Sequence, residues 1–216
     1  MEEFKVGALW MLRPWLYADQ LLPHFDRFRS VESLAKRLRE VYPNISALEE
    51  LAVEKGVPIH EPFQGSKIGA FIVLAPSPAR YGQLILDSEK TPESSTSLKE
   101  ETTLEAIIRE TLAKMVTLAK AAWGEEHFSN DETSAENEMS VVQYANLNGK
   151  KILLTGDAGR TALTEAADYA PVAGLILPGI DRFQVPHHGG RRNVSTDVLV
   201  YCTRLSGHKV GVKRPA

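Results

Sequence analysis

The chain has 216 residues, 43% of them hydrophobic, and carries a formal net charge of −3. This length and apolar content suit one domain with a hydrophobic core, and the slightly acidic balance excludes a global basic field that attracts nucleic acid. A single cysteine, Cys202, excludes a disulfide framework and a cysteine-rich zinc module and is typical of a reducing compartment. No apolar run approaches the roughly 20 residues that cross a bilayer, and the acidic start lacks the order of a signal peptide. We therefore expect a soluble, cytoplasmic protein without a membrane span.

The first part of the chain, residues 1–86, alternates predicted strands and helices. The apolar run over residues 4–12 predicts a strand with almost no lead-in, so we expect the fold to begin upstream of this chain. Ser30 is the predicted N-cap of one helix, and Asn44 or Ser46 is the predicted N-cap of the next. A strand that is apolar throughout and a short helix follow, at residues 69–75 and 79–86.

Residues 87–138 differ in composition from the parts on either side. Residues 87–101 are rich in Ser, Thr, Glu and Lys and predict a linker. Residues 104–123 place apolar side chains at helical spacing and predict an amphipathic helix. Residues 124–138 carry six acidic residues and no lysine or arginine, which predicts a loop. We interpret the whole segment as an insertion into one domain.

The last part of the chain, residues 139–216, begins with a predicted hairpin. Residues 139–146 and 150–155 predict its strands. Asn148-Gly149 favours a type I′ turn between them, because both central residues of that turn need a positive φ. Beyond the hairpin the pattern predicts a helix, two short strands and a further helix, at residues 161–170, 173–177, 182–185 and 194–202.

Two of these strands end at side chains that can bind a metal ion. One strand runs into Gly156-Asp157, and the other runs into His187, His188 and two glycines. A carboxylate after a tight turn can bridge two divalent ions, and neutral imidazole is the commonest nitrogen ligand of zinc. A hydrolytic zinc site uses three protein ligands and leaves one position for water. Asp157 and one histidine supply two of those ligands.

Simpler interpretations of the same residues stay open at this point. An aspartate after a strand is commonly a turn former or a helix cap, so Asp157 need not bind metal. A pair such as His187-His188 is often a surface feature. Arg191 and Arg192 suit a phosphate, because guanidinium forks match phosphate oxygens, and they equally suit a solvated loop.

The order of the motifs resembles a known family. The run from Asn137 to Tyr144, the hairpin, the Thr-Gly-Asp157 turn and the Val-Pro-His187-His188-Gly sequence are similar to the C-terminal half of the metallo-β-lactamase superfamily. The hydrolase domain of competence-type DNA-uptake proteins is the branch it resembles most. The match covers about residues 137–200, and it is looser over parts of the first 86 residues.

This resemblance implies an α/β fold, a four-layer αββα sandwich that is incomplete at its N-terminus. Residues 1–86 would form the middle of the domain, residues 87–138 an insertion and residues 139–216 the C-terminal half.

The same resemblance implies roles for the motif residues. Asp157 matches the aspartate that bridges two metals, and His187 matches the last histidine ligand. His188, Arg191 and Arg192 would support the site or contact substrate. The implied cofactor is zinc in a two-metal site, with manganese as the alternative, and the implied substrate is a nucleic acid or another phosphoester.

The chain departs from the family in the part that supplies most ligands. The hallmark H-x-H-x-D-H motif is absent from the sequence, and Gly190 stands where the family usually has serine after His-His-Gly. Three explanations follow: a truncated chain, a second chain that supplies the missing half, or a degenerate relative. Missing strands would leave a sheet edge exposed, which favours a partner chain or a dimer.

Two functional hypotheses therefore stand side by side. The first is a metal-dependent hydrolase that directs water onto a phosphodiester or related ester; this isolated chain, which lacks most of the metal ligands, could itself be inactive. The second is a degenerate, non-catalytic interaction module, with the predicted helix at 104–123 and its acidic flanks as the partner surface.

Overall fold

A computed structural model describes residues 5–91, 132–190 and 192–195, and every structural statement below refers to these residues. The chain has a mixed α/β architecture with two sheets. Three predicted features lie outside the described residues: the helix at 104–123, nearly all of the helix at 194–202, and Arg191. Within them, no helix is both long and apolar enough to cross a membrane.

The larger sheet has five strands in the order β3-β4-β5-β6-β7. Its strands come from both sides of the 87–138 segment, because β4 pairs antiparallel with β5. The only parallel pairing in this sheet, within the described chain, joins β6 to β7. The five strands are Lys67–Ile68 (β3), Phe71–Ala75 (β4), Val142–Leu147 (β5), Lys150–Leu154 (β6) and Arg182–Phe183 (β7).

The smaller sheet is a parallel pair of two-residue strands, Leu9–Trp10 (β1) and Ile59–His60 (β2). The predicted strand over residues 4–12 is therefore much shorter than expected. Residues 5–8 are exposed, so they have no buried surface to hold them in an extended pairing.

The helices are short; the N-terminal ones pack mainly on one another, and the last one packs on the larger sheet. They are Ala18–Leu21 (α1), Val31–Val41 (α2), Pro43–Glu54 (α3), Pro78–Asp87 (α4), Ala135–Glu138 (α5) and Arg160–Tyr169 (α6), with 3-10 turns at Pro14–Tyr17, Leu22–His24 and Pro186–Gly189.

Helix starts follow local chemistry. The Ser30 hydroxyl accepts a hydrogen bond from the Ser33 backbone at 3.2 Å, which confirms the predicted cap of α2. The predicted cap of α3 at Asn44 or Ser46 is wrong. That helix begins at Pro43, whose fixed φ and missing N–H suit the first helical position.

The β5–β6 hairpin matches its prediction. Asn148 has φ of 51° and Gly149 has φ of 77°, the two positive values that a type I′ turn requires. The register pairs Leu147 with Lys150 beside the turn and Gln143 with Leu154 at the opposite end.

The predicted strand at residues 173–177 is wrong. Leu175 donates its backbone N–H to Ala170 at 2.8 Å, and Gly174 has φ of 76°, so this stretch closes the end of α6 instead of pairing in a sheet. Ile176 is 76% exposed, which leaves only Leu175 buried to anchor the segment.

Two clusters of buried side chains form the interior. The first lies between the larger sheet and α6 and includes Leu74, Val142, Leu153 and Leu163. The second joins the N-terminal helices to α4 and includes Trp15, Leu34, Leu38 and Tyr81. Because α4 follows β4 directly, it holds the helical cluster next to the sheet that carries the motif residues.

Candidate metal centre

The motif residues lie beyond the carboxyl ends of two neighbouring parallel strands. β6 and β7 pair in parallel, with Ile152 opposite Arg182 and Leu153 opposite Phe183. The turn after β6 therefore emerges at the same edge as the turn after β7. Ligands in α/β folds bind preferentially at such edges.

This edge brings Asp157 and His187 together. Asp157 Oδ1 lies 3.5 Å from His187 Nδ1, and the two side chains are 55% and 50% exposed. A strong hydrogen bond between these atoms would be about 2.7–3.2 Å long. Two ligands of one tetrahedral zinc ion, with bonds of about 2.0–2.1 Å, lie about 3.3–3.4 Å apart. The observed separation is close to that spacing, and it is also within the range of a direct His–carboxylate ion pair.

The histidine pair sits on a strained backbone. His187 has φ and ψ of 44° and 49°, and His188 has 54° and 24°. Such left-handed conformations are uncommon for residues with a side chain and cluster at functional sites. The two rings are tilted by 54°, with centroids 6.2 Å apart, and both side chains are exposed. The strain turns successive imidazoles in different directions.

The Asp157 turn is held from two sides. The Ser140 hydroxyl accepts the Asp157 backbone N–H at 3.1 Å. On the other side, buried Thr155 donates its N–H to Gln184 Oε1 at 3.0 Å and its hydroxyl to the Gln184 carbonyl at 2.8 Å. Gly156 has φ of 55°, which permits the sharp bend between these anchors.

A buried carboxylate anchors the helix that follows. Glu138 Oε2 accepts the Ala162 backbone N–H at 2.6 Å and a guanidinium N–H of Arg80 at 2.9 Å. Burial raises the pKa of the Glu138 carboxyl even though both donors favour its ionised form. Gly159 makes room for it, because a Cβ there would lie 1.9 Å from Glu138 Oε1. The start of α6, just after Asp157, is therefore fixed in place.

The other predicted site residues are less closely joined. Arg192 is exposed near the histidine pair, and Arg191 lies outside the described residues. No group of three or more His, Cys, Asp or Glu side chains that could hold a metal occurs among the described residues. The described part of the centre is a pair of donors.

Four residues around the site were not predicted from the sequence: Glu138, Ser140, Gln184 and Asn193. Ser140 and Glu138 belong to the run that carries the family resemblance, and that is the only signal that could have identified them. Gln184 and Asn193 flank the histidine pair, but nothing in their spacing distinguishes them from ordinary loop residues.

An apolar groove of about 470 Å³ adjoins this region. It shares Ser140 with the Asp157 turn, and Trp10 contributes a ring that contacts His60, with centroids 4.8 Å apart. The groove is lined chiefly by apolar side chains, among them Trp10, Met11, Leu12, Ile45, Leu48 and Met139.

The chain was compared with protein-family models, with curated proteins and with solved structures, and none of the three comparisons found a match.

Proposed function

We propose that this chain is part of a metal-dependent hydrolase of the metallo-β-lactamase type, with Asp157 and His187 as two of its ligands. The observation that carries the proposal is the 3.5 Å approach of Asp157 Oδ1 and His187 Nδ1. The strained His187-His188 backbone and the anchored Asp157 turn support it. The proposed architecture is the four-layer αββα sandwich, to which the five-stranded sheet and α6 would contribute one half.

The donor set suits a divalent ion that accepts both oxygen and nitrogen. Zinc binds carboxylate and imidazole readily, and manganese is the alternative, since it accepts carboxylates well. When bound, such an ion acts as a Lewis acid and makes water a nucleophile at neutral pH. Asp157 would hold the ion through its carboxylate and His187 through its imidazole. His188 and Arg192 would face the substrate.

The substrate class proposed is a phosphodiester or a related ester, including nucleic acid. A catalytic zinc site needs a third protein ligand, so a further donor has to come from a partner chain or from another part of the polypeptide. A partner or a second copy that covers the sheet edge is the proposed source. The isolated chain is expected to bind metal more readily than it turns over substrate.

Metal titration of the full chain tests the proposal. We expect the wild-type chain to bind Zn²⁺ in isothermal titration calorimetry, and Asp157→Ala and His187→Ala each to weaken binding at least tenfold, because each removes a donor. His24→Ala, which removes an exposed histidine in another part of the fold, is the matched control and should leave binding unchanged. The assignment would be refuted if the wild-type chain bound neither Zn²⁺ nor Mn²⁺. It would also be refuted if Asp157→Ala and His187→Ala bound Zn²⁺ as tightly as the wild-type chain does.

The second candidate function is a non-catalytic interaction module. The specific observation in its favour is the apolar groove, which is lined in part by the exposed side chain of Leu48 in α3. Exposed apolar surface of this kind is typical of interaction sites. The metal titration separates the two candidates, because a binding module needs neither Asp157 nor His187 as a ligand.

A further inference from the structure

We propose that Asn193 is a positioning residue that sets the separation of the two candidate metal ligands. This inference rests on the proposed function, because it concerns Asp157 and His187 as a ligand pair. Asn193 is only 2% exposed, so its amide has to find partners inside the protein. Its Nδ2 donates to the Asp157 carbonyl at 2.7 Å and lies 3.4 Å from the Ala158 carbonyl.

The backbone joins Asn193 to the histidine pair through two consecutive turns. Gly190 donates its N–H to the His187 carbonyl at 3.0 Å, and Asn193 donates its N–H to the Gly190 carbonyl at 2.9 Å. The position of Asn193 therefore depends directly on that of His187.

A second hydrogen bond joins the same two turns. We call the two hydrogen bonds, from Asn193 to Asp157 and from His187 to Gly156, the frame. The His187 backbone N–H donates to the Gly156 carbonyl at 3.2 Å. The two ligand-bearing turns are thus tied at Gly156 by His187 and at Asp157 by Asn193. Hydrogen bonds from His187 and from Asn193 to two adjacent peptide units leave little freedom for one turn to move relative to the other.

The close fit at Gly190 supports the same role. A Cβ at Gly190 would lie 2.8 Å from Asn193 Oδ1 and 3.1 Å from His187 Cδ2. Any side chain at this position would push the amide or the imidazole out of place.

The frame orients the ligands without touching the metal. Partners of this kind affect metal affinity strongly, and their loss typically costs 10- to 100-fold. Asn193→Asp keeps the size of the side chain but replaces the donating amide with an oxygen that repels the Asp157 carbonyl. Its effect should therefore appear in the affinity and geometry of the bound metal.

Co²⁺ binding to the full chain, followed by visible absorption, provides the test. We expect Asn193→Asp to weaken Co²⁺ binding 10- to 100-fold and to shift the absorption bands, because the ligand geometry changes. Asn146→Asp is the matched control. It makes the same substitution at an exposed residue near the hairpin end of β5, and it should bind Co²⁺ like the wild-type chain. Wild-type affinity and spectrum in Asn193→Asp would overturn the inference.

A measurement without metal separates this inference from the proposed function. Amide hydrogen exchange at His187 should be faster in Asn193→Asp, while exchange at Leu163 in α6 stays unchanged. If the wild-type chain binds no Co²⁺, the proposed function fails, and the role of Asn193 is then judged from His187 exchange alone. Faster His187 exchange in Asn193→Asp than in the wild-type chain supports this role, and unchanged exchange overturns it. If Asn193→Asp does not fold, Gly190→Ala replaces it, and wild-type Co²⁺ binding and His187 exchange in that variant would overturn the inference.

Discussion

The backbone at His187 and His188 is in a conformation that costs an L-residue roughly 1–2 kcal/mol. Neither side chain is buried, so burial of these imidazoles does not compensate for the strain. Asn148, the third non-glycine residue with a positive φ among the described residues, lies in a hairpin turn that requires this conformation. The histidine pair lies in the Pro186–Gly189 turn, outside the hairpin, and its strain coincides with the candidate site.

Substituting His188 by glycine tests this interpretation. We expect His188→Gly to raise the free energy of unfolding of the metal-free chain by up to about 1 kcal/mol, because glycine adopts a positive φ without steric cost. Urea denaturation measures the change. Asn148→Gly is the matched control, with a smaller gain expected because asparagine tolerates this conformation better than histidine. A clear loss of stability in His188→Gly would show that the imidazole makes stabilising contacts.

At the scale of elements, one carboxylate joins three parts of the helical region. Glu49 of α3 accepts hydrogen bonds from Arg13 at 3.1 Å and from Trp15 at 3.4 Å, both at the first 3-10 turn, and from Arg39 of α2. The Arg39 guanidinium also lies over the Trp15 ring, 4.4 Å from its centroid. Burial alone would raise the pKa of Glu49, but the bonds from Arg39 and Arg13 outweigh burial and lower it.

This lowered pKa predicts a pH dependence of stability. A carboxyl whose pKa is lower in the folded state stabilises the fold above its unfolded pKa, and that contribution disappears as the pH falls through the folded value. We expect Glu49→Gln to cost about 2 kcal/mol at pH 7, the scale of a hydrogen bond to a charged group. The cost should become progressively smaller below pH 4.5, the ordinary pKa of this carboxyl. Urea denaturation of both proteins at pH 7 and pH 3.5 gives the comparison. A difference that does not change with pH would contradict the assignment.

Elements whose chemistry is local were predictable from the sequence. The cap at Ser30 and the Asn148-Gly149 turn depend on neighbouring residues, and both are confirmed. Residues 173–177 have the composition of a strand, but their backbone bonds go to the end of α6. The contacts of Gln184 and Asn193 span about 30 or more positions of sequence. Spacing and composition carry no information about such distant partners.

At the scale of the whole molecule, the parts of the chain before and after the 87–138 segment contribute unequally to the candidate centre. The sheet joins β3 and β4 of the first part to β5, β6 and β7 of the last. Both candidate ligands nevertheless come from the last part. The sequence predicted this asymmetry through the order of its motifs, whereas the pairing of β4 with β5 across the 87–138 segment required the structure.

The approach of Asp157 and His187 has a thermodynamic consequence. These residues are 30 positions apart in the chain, so an ion held by both would close a loop of that length. By the chain-entropy relation used for cross-links, closing such a loop in the unfolded chain costs about 3–4 kcal/mol. An ion would therefore bind the folded chain in preference to the unfolded one. At a Zn²⁺ concentration about 100 times the dissociation constant, the folded state gains about 2.7 kcal/mol.

The midpoint of thermal unfolding should then rise by roughly 5–10 °C on adding Zn²⁺ and return to its starting value with a chelator. Asp157→Ala, which removes one of the two ligands, should show no such rise. An ion bound by Asp157 and His187 would thus also act as a reversible cross-link across the β6–α6–β7 unit. The stability of the chain would then depend on the supply of metal.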